Sequence, residues 1–161
     1  MKILAAIATF FVLASPAVAG TVVKASYNAT LKTTILTDAH GMAVYEYASD
    51  VKNVKPFPFC IDDATYHCSK HWLPLLTTGA PVAGKGVQKS LLSTADRDDG
   101  TTQVMYRGHP LYTWKGGYGT RGDKKAGDVW GQAFLGLWYV MSPAGKPILK
   151  ANPTQRVLAA R

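Results

Sequence analysis

The chain has 161 residues, 18 Lys and Arg against 10 Asp and Glu for a formal charge of +8, 47% hydrophobic and 17% charged residues. That length suits one domain, and the composition excludes wholesale disorder, a collagen repeat and a polytopic membrane protein. Two cysteines are too few for a disulfide-dense scaffold or a four-cysteine zinc site.

Met1 and Lys2 open the chain with a positive charge, and Ile3 to Ala14 is apolar except for Thr9. Ser15-Pro16 breaks that run, and Ala17-Val18-Ala19 precedes Gly20. This order predicts a signal peptide over 1–19, cleaved near Ala19-Gly20. A helix of about twelve residues rises roughly 18 Å, short of the ~30 Å hydrocarbon core. No later run is long enough to span a membrane, and no cysteine follows the cleavage point to carry a lipid. The expected location is the periplasm or the medium. There Cys60 and Cys68, eight positions apart, meet oxidising conditions and are expected to pair.

The remainder reads as strands and turns. Ala43, Tyr45 and Tyr47 alternate with Val44 and Glu46, and Thr102, Val104 and Tyr106 with Gln103 and Met105. Pro110, Tyr112 and Trp114 are set against Leu111 and Thr113, and Leu135, Leu137, Tyr139 and Met141 against Gly136, Trp138 and Val140. Such period-two runs predict antiparallel strands. Asp38-Ala-His-Gly41, Asp98-Asp99-Gly100 and Arg107-Gly108 are turn sequences. Thr65 to Leu73 and Val87 to Leu92 are expected to form short helical turns, the first ended by Pro74. A basic Gly-rich loop runs from Lys115 to Ala126, and Lys146 to Arg161 reads as a docked or frayed tail. Sliding 34–47 by 67 positions aligns Thr34 with Thr101, Gly41 with Gly108, Tyr45 with Tyr112 and Tyr47 with Trp114. The chain is therefore expected to be mainly antiparallel β, one domain over 22–150 built from two related β units, with 151–161 as the tail.

Four pieces carry a family resemblance. Tyr45-Glu-Tyr47-Ala-Ser-Asp50 resembles the Y-x-(F/W/Y)-x-x-D motif of a bacterial family of predicted lipoproteins, the secreted repeat of unknown function. Cys68-x-x-x-Trp72-Leu-Pro74-Leu75, Asp99-Gly-Thr-Thr-Gln-Val-Met-Tyr-Arg-Gly-His-Pro-Leu-Tyr112, and Gly131-Gln132 with Trp138-x-Val140-x-x-Pro143-x-Gly145 are similar to the same family's further motifs, in order. The resemblance spans about 31–147 and implies location and fold more than activity. This sequence departs from the family in lacking a lipid-bearing cysteine and in the longer spacing from Cys60 to Cys68.

The candidate sites each have two readings. His67 and His71, four apart on a short helix, share a face, and with Cys60 and Cys68 they would suit copper or zinc. A structural disulfide between the cysteines competes directly with that metal site, since it removes both thiolates; a reversible redox pair is a third use. Tyr45, Tyr47, Trp72, Tyr106, Tyr112, Trp114, Trp138 and Tyr139 line a ligand groove or an electron path, or else fill a small β core. Asp50, a lone carboxylate, reads as an acceptor of backbone N–H groups at a turn. The 115–126 loop invites phosphate or an acidic polymer, but lacks the spacing of a nucleotide-cradling loop. Ser93 and Ser142 sit in no nucleophile elbow. The expectation is an exported, monomeric, non-enzymatic accessory or binding domain with no cofactor and no specific nucleic-acid partner. Its partner or ligand in the envelope is unidentified. Metal handling or redox work at Cys60, His67, Cys68 and His71 is the alternative.

Overall fold

The computed structural model describes residues 20–50, Cys60 and 67–153. The expected signal peptide, the residues flanking Cys60 and the end of the tail lie outside the described residues. Strand β1 (Val22–Asn28) pairs antiparallel with β2 (Thr33–Asp38), in register from Val23↔Asp38 to Asn28↔Thr33. Between them the Asn28 side-chain oxygen accepts the Leu31 N–H, and Lys32 takes a left-handed φ of 52°. Ile35 and Leu36 are consecutive yet both fully buried, because opposite faces of β2 meet different cores. Asp38 Oδ1 then accepts the N–H groups of His40 and Met42, turning the chain at Gly41 into β3 (Tyr45–Tyr47).

After one helical turn, α1 (Cys68–His71), come β4 (Trp72–Pro74), β5 (Val82–Ala83) and a 3-10 turn at Lys89–Leu91. Strands β6 (Leu92–Asp96), β7 (Thr102–Tyr106), β8 (His109–Pro110), β9 (Tyr112–Trp114) and β10 (Trp138–Val140) complete the order. They form three sheets, β2-β1-β5, β10-β3-β9-β4 and β6-β7-β8. Among the described residues, all strand pairings are antiparallel except β1 with β5. The protein is mainly β, as the alternation predicts.

Two local expectations need correction, and the described part of the tail takes the docked alternative. Residues 65 and 66 of the helix expected over 65–73 lie outside the described residues; from 67 onward it is Cys68–His71, because Trp72 leaves it to pair with Trp114 across β4 and β9. The strand expected over 135–141 shrinks to Trp138–Val140; Leu135 and Gly136 instead take positive φ in a turn, and Leu135 is exposed. The tail is docked through Asn152: Gln132 Nε2 donates to the carbonyls of Ile148 and Lys150, and the buried Asn152 amide donates to Val129 O.

The central sheet has an internal two-fold. Tyr45 and Tyr112 are direct partners where β3 meets β9. On one side Trp138 faces Tyr47 and Val140 faces Tyr45; on the other Trp72 faces Trp114 and Pro74 faces Tyr112. Met141 bonds Leu36 N–H and Val44 O through its own carbonyl and amide, and Leu75 does the same to Val104 N–H and Leu111 O. Each unit is thus a hairpin plus a W-x-x-(M/L) strand drawn from elsewhere in the chain. Trp72 and Trp138 stack 3.9 Å apart and parallel within 2°, and each takes an edge-on tyrosine, Tyr45 at 5.2 Å and Tyr112 at 5.1 Å.

Candidate functional site

Period-two alternation on β3 and β9 sends Tyr45 and Tyr112 into the aromatic core, while Val44 and Leu111 enter the other core. Their hydroxyls then cross the two-fold reciprocally. Tyr112 donates to Asp50 Oδ2 at 3.0 Å, and Tyr45 donates to Asp123 Oδ2 at 2.6 Å. Asp50 therefore serves a phenol of the other unit rather than the turn amides expected of it. Burial pushes its carboxyl up to about 7, the Tyr112 bond opposes that, and Glu46 nearby adds to it. Burial likewise raises Asp123 to about 6, against the bonds from Tyr45 and from the Trp130 amide. Both tyrosines are raised above the usual phenol value, by burial first and by their aspartates second. Glu46, also buried, is pushed up to about 7 by desolvation, and its Oε2 lies 3.1 Å from His109 Nδ1.

Cys60 and Cys68 are joined in a disulfide, with Cα atoms 5.0 Å apart. The copper or zinc alternative thereby loses both thiolates. His67 is exposed, and His71 Nδ1 donates to the Gly116 carbonyl at 2.7 Å while its ring packs on Tyr118. Among the described residues no three His, Cys, Asp or Glu side chains gather as a metal site. The donors do not fit a copper or zinc centre. Tyr45, Tyr112, Trp72, Trp114 and Trp138 are buried, with Tyr47 packed against them, so these aromatics fill the core.

The 115–126 segment is not a loose loop. Asp123 N–H donates to Trp114 O, and Gly117 and Thr120 exchange both backbone bonds. Tyr118 and Gly119, both at positive φ (52° and 77°), make the tight turn whose twist matches a hairpin. The tip rests on the core: the Tyr118 ring lies 4.5 Å from His71 and 5.8 Å from Phe134. At its base Gly122 is obligatory for space, since a Cβ there would run into the Lys115 carbonyl. The return turn is set by two carboxylates. Asp128 Oδ2 accepts the amides of Lys124 and Lys125, and Asp123 Oδ1 accepts the amide of Trp130 at 2.7 Å.

Between hairpin and return turn lies a cleft of about 1010 Å³, lined among others by Lys115, Arg121, Lys124, Lys125, Asp128 and Trp130. The four cations are exposed, and the Arg121 guanidinium sits 5.4 Å over the Trp130 ring. The basic residues and Asp123 fall in the loop the sequence singles out, but the structural role of Asp123 and the part of Asp128 and Trp130 in shaping the cleft do not show there.

Among the described residues, no helix is long and apolar enough to cross a membrane. Residues 93–142 match the family model described as a secreted repeat of unknown function, the family the motifs resemble. That span starts in β6 and runs just past β10, covering the second unit's hairpin, the cleft and the Trp138–Val140 strand that pairs with the first hairpin. No curated protein and no solved structure matches the chain.

Proposed function

Taking the secreted-repeat match as premise, we propose that the protein is an exported, monomeric, non-enzymatic binding domain over residues 22–150. It presents the cleft between the 115–122 hairpin and the 124–130 turn to a ligand of the envelope or medium. The observation that carries the reading is the mounting of that cleft. A rigid two-fold core anchors the hairpin through Tyr45–Asp123, His71–Gly116 and the Trp114 indole bond to Arg121 O, while its charged side chains remain exposed. Of the buried acids, Asp50 and Asp123 serve as phenol acceptors, and Glu46, on the opposite face of β3 from Tyr45, lies 3.1 Å from His109 Nδ1 and away from the cleft's lining.

Mass spectrometry of native protein, intact and after reduction, tests the export half. The expected species starts at Gly20 and gains mass on reduction as Cys60–Cys68 opens. Material from the cell interior with residues 1–19 retained overturns it. Turnover of any envelope polymer by the purified domain, abolished by Asp50→Asn or His109→Ala, overturns the non-enzymatic half.

A further inference from the structure

We propose that the 115–130 cleft binds a linear polyanion, a chain bearing closely spaced phosphate or carboxylate groups; this rests on the binding-domain reading above. The first ground is charge without counter-charge. Lys115, Arg121, Lys124 and Lys125 line one cleft with a single carboxylate, Asp128. That carboxylate is turned onto the amides of Lys124 and Lys125, and the adjacent Asp123 is spent on Tyr45 and the Trp130 amide. Among the described residues no carboxylate forms an ion pair with any of the four cations. Like charges held together raise the local potential, and an anionic ligand relieves it.

The second ground separates a polymer from a small anion. The four cations are exposed, and a single exposed ion pair is worth little in high dielectric. Useful affinity from such groups requires several contacts made at once on one chain, with release of its condensed counterions. Arg121 has its flat guanidinium over the Trp130 ring, a contact that lowers the freedom it loses on pairing. The same contact argues against single-stranded nucleic acid, which needs open aromatic faces for its bases. Here Arg121 covers Trp130, the aromatic ring of the cleft lining, and the exposed Tyr118 lies outside that lining.

The test uses the processed, disulfide-bonded protein with three fluorescent probes: inorganic polyphosphate, polygalacturonate and an oligodeoxythymidylate. Binding is followed by anisotropy across a salt series. The expected result is binding of polyphosphate or polygalacturonate, the stronger arm identifying phosphate or carboxylate as the source. Lys115→Ala/Lys124→Ala/Lys125→Ala together should weaken it at least about tenfold at ~50 mM salt and flatten the log–log salt slope by about two units. Lys85→Ala/Lys89→Ala/Lys146→Ala, which removes equal charge from exposed sites elsewhere, should leave affinity within about twofold.

Equal losses from the two triple variants, tighter binding of the oligodeoxythymidylate, or equal competition by orthophosphate at matched phosphate concentration each overturn the proposal. So does the absence of binding to both polymers. Probe length is checked after each titration. Binding with the polymer shortened supports the site and overturns the non-enzymatic reading, whereas no binding with the polymer intact overturns the polyanion and leaves that reading standing.

Discussion

The two units solve one problem twice and then diverge. In each, a core tyrosine needs an acceptor for its buried hydroxyl, and in each the acceptor is an aspartate that follows the opposite unit's central strand. In the first unit that aspartate, Asp50, comes three positions after Tyr47; in the second, Asp123 comes nine after Trp114. The added length is the 115–122 hairpin, and it carries two of the four cleft cations, Lys115 and Arg121, facing the return turn that carries the other two. Symmetry fixes the core, and the excess in one copy is free to vary without disturbing it. A loop anchored at both ends to a rigid sheet is where a binding function is expected to reside.

The largest test of the comparison is at the axis. Trp72 and Trp138 are both almost fully buried and stacked on each other. Alanine at either should cost about 3–5 kcal/mol in urea unfolding. Trp72 also contacts Trp114 at 4.3 Å, whereas Trp138 contacts Tyr47 at 4.6 Å, so Trp72→Ala is expected to be the worse of the two. The double variant should fall short of the sum, since the shared stack is removed only once. Strict additivity would mean that the stack does not couple the units.

Next in size is a pH effect shared by both halves. Glu46 and Asp50 are raised to about 7 and Asp123 to about 6, each by burial first. Their native forms hold protons that the unfolded chain releases near pH 4. Stability from these groups is therefore complete below that value and declines as pH rises through 4 to 7, levelling above. Thermal unfolding should give a higher Tm at pH 5 than at pH 8, the reverse of ordinary acid denaturation. Asp50→Asn keeps an acceptor for Tyr112 without the charge and should shrink that difference. An unchanged difference would assign the effect to Glu46 and Asp123 alone.

Much of this plan is legible in the sequence, and the gaps have physical causes. The 67-position offset that aligns Tyr45 with Tyr112 and Tyr47 with Trp114 picks out residues that pair or correspond across the two-fold. Thr102–Tyr106 is a strand at the bounds its alternation predicts. The exchange of Leu75 and Met141 between hairpins is harder, because each strand is donated from far along the chain. The shared Trp72-x-Pro74-Leu75 and Trp138-x-Val140-Met141 pattern was its available signal. Helical spacing at 65–73 misleads because tertiary pairing of Trp72 with Trp114 outweighs local preference. Asp123 was invisible as a partner for Tyr45: they are 78 positions apart, and the hairpin between Trp114 and Asp123 hides the equivalence with Asp50.

The reciprocal bonds allow a smaller and sharper contrast. Tyr45→Phe and Tyr112→Phe each leave a buried aspartate short of a donor and should each cost about 1–3 kcal/mol. Only the Asp123 side also holds the cleft, through its second oxygen on the Trp130 amide. Asp123→Ala and Asp50→Ala should therefore destabilise by similar amounts, but only Asp123→Ala should weaken polyphosphate or polygalacturonate binding. Equal binding by the two variants would show that the return turn is set by Asp128 alone.

The smallest effect expected on stability is the one most telling for function. Lys115, Lys124 and Lys125 are exposed side chains with no ion-pair partner among the described residues. Replacing all three by alanine should change unfolding free energy by roughly 0.5 kcal/mol or less, and towards greater stability, because removing like charges from one cleft relieves their repulsion. The gain should be larger at low salt, where screening is weakest, and absent from the Lys85/Lys89/Lys146 triple variant. Clustered cations that contribute nothing to folding, and work slightly against it, are what a binding surface predicts and a structural one does not. Melting curves for the two triple variants at low and high salt decide between them. A loss of stability confined to the cleft variant would mean that those lysines hold the hairpin in place.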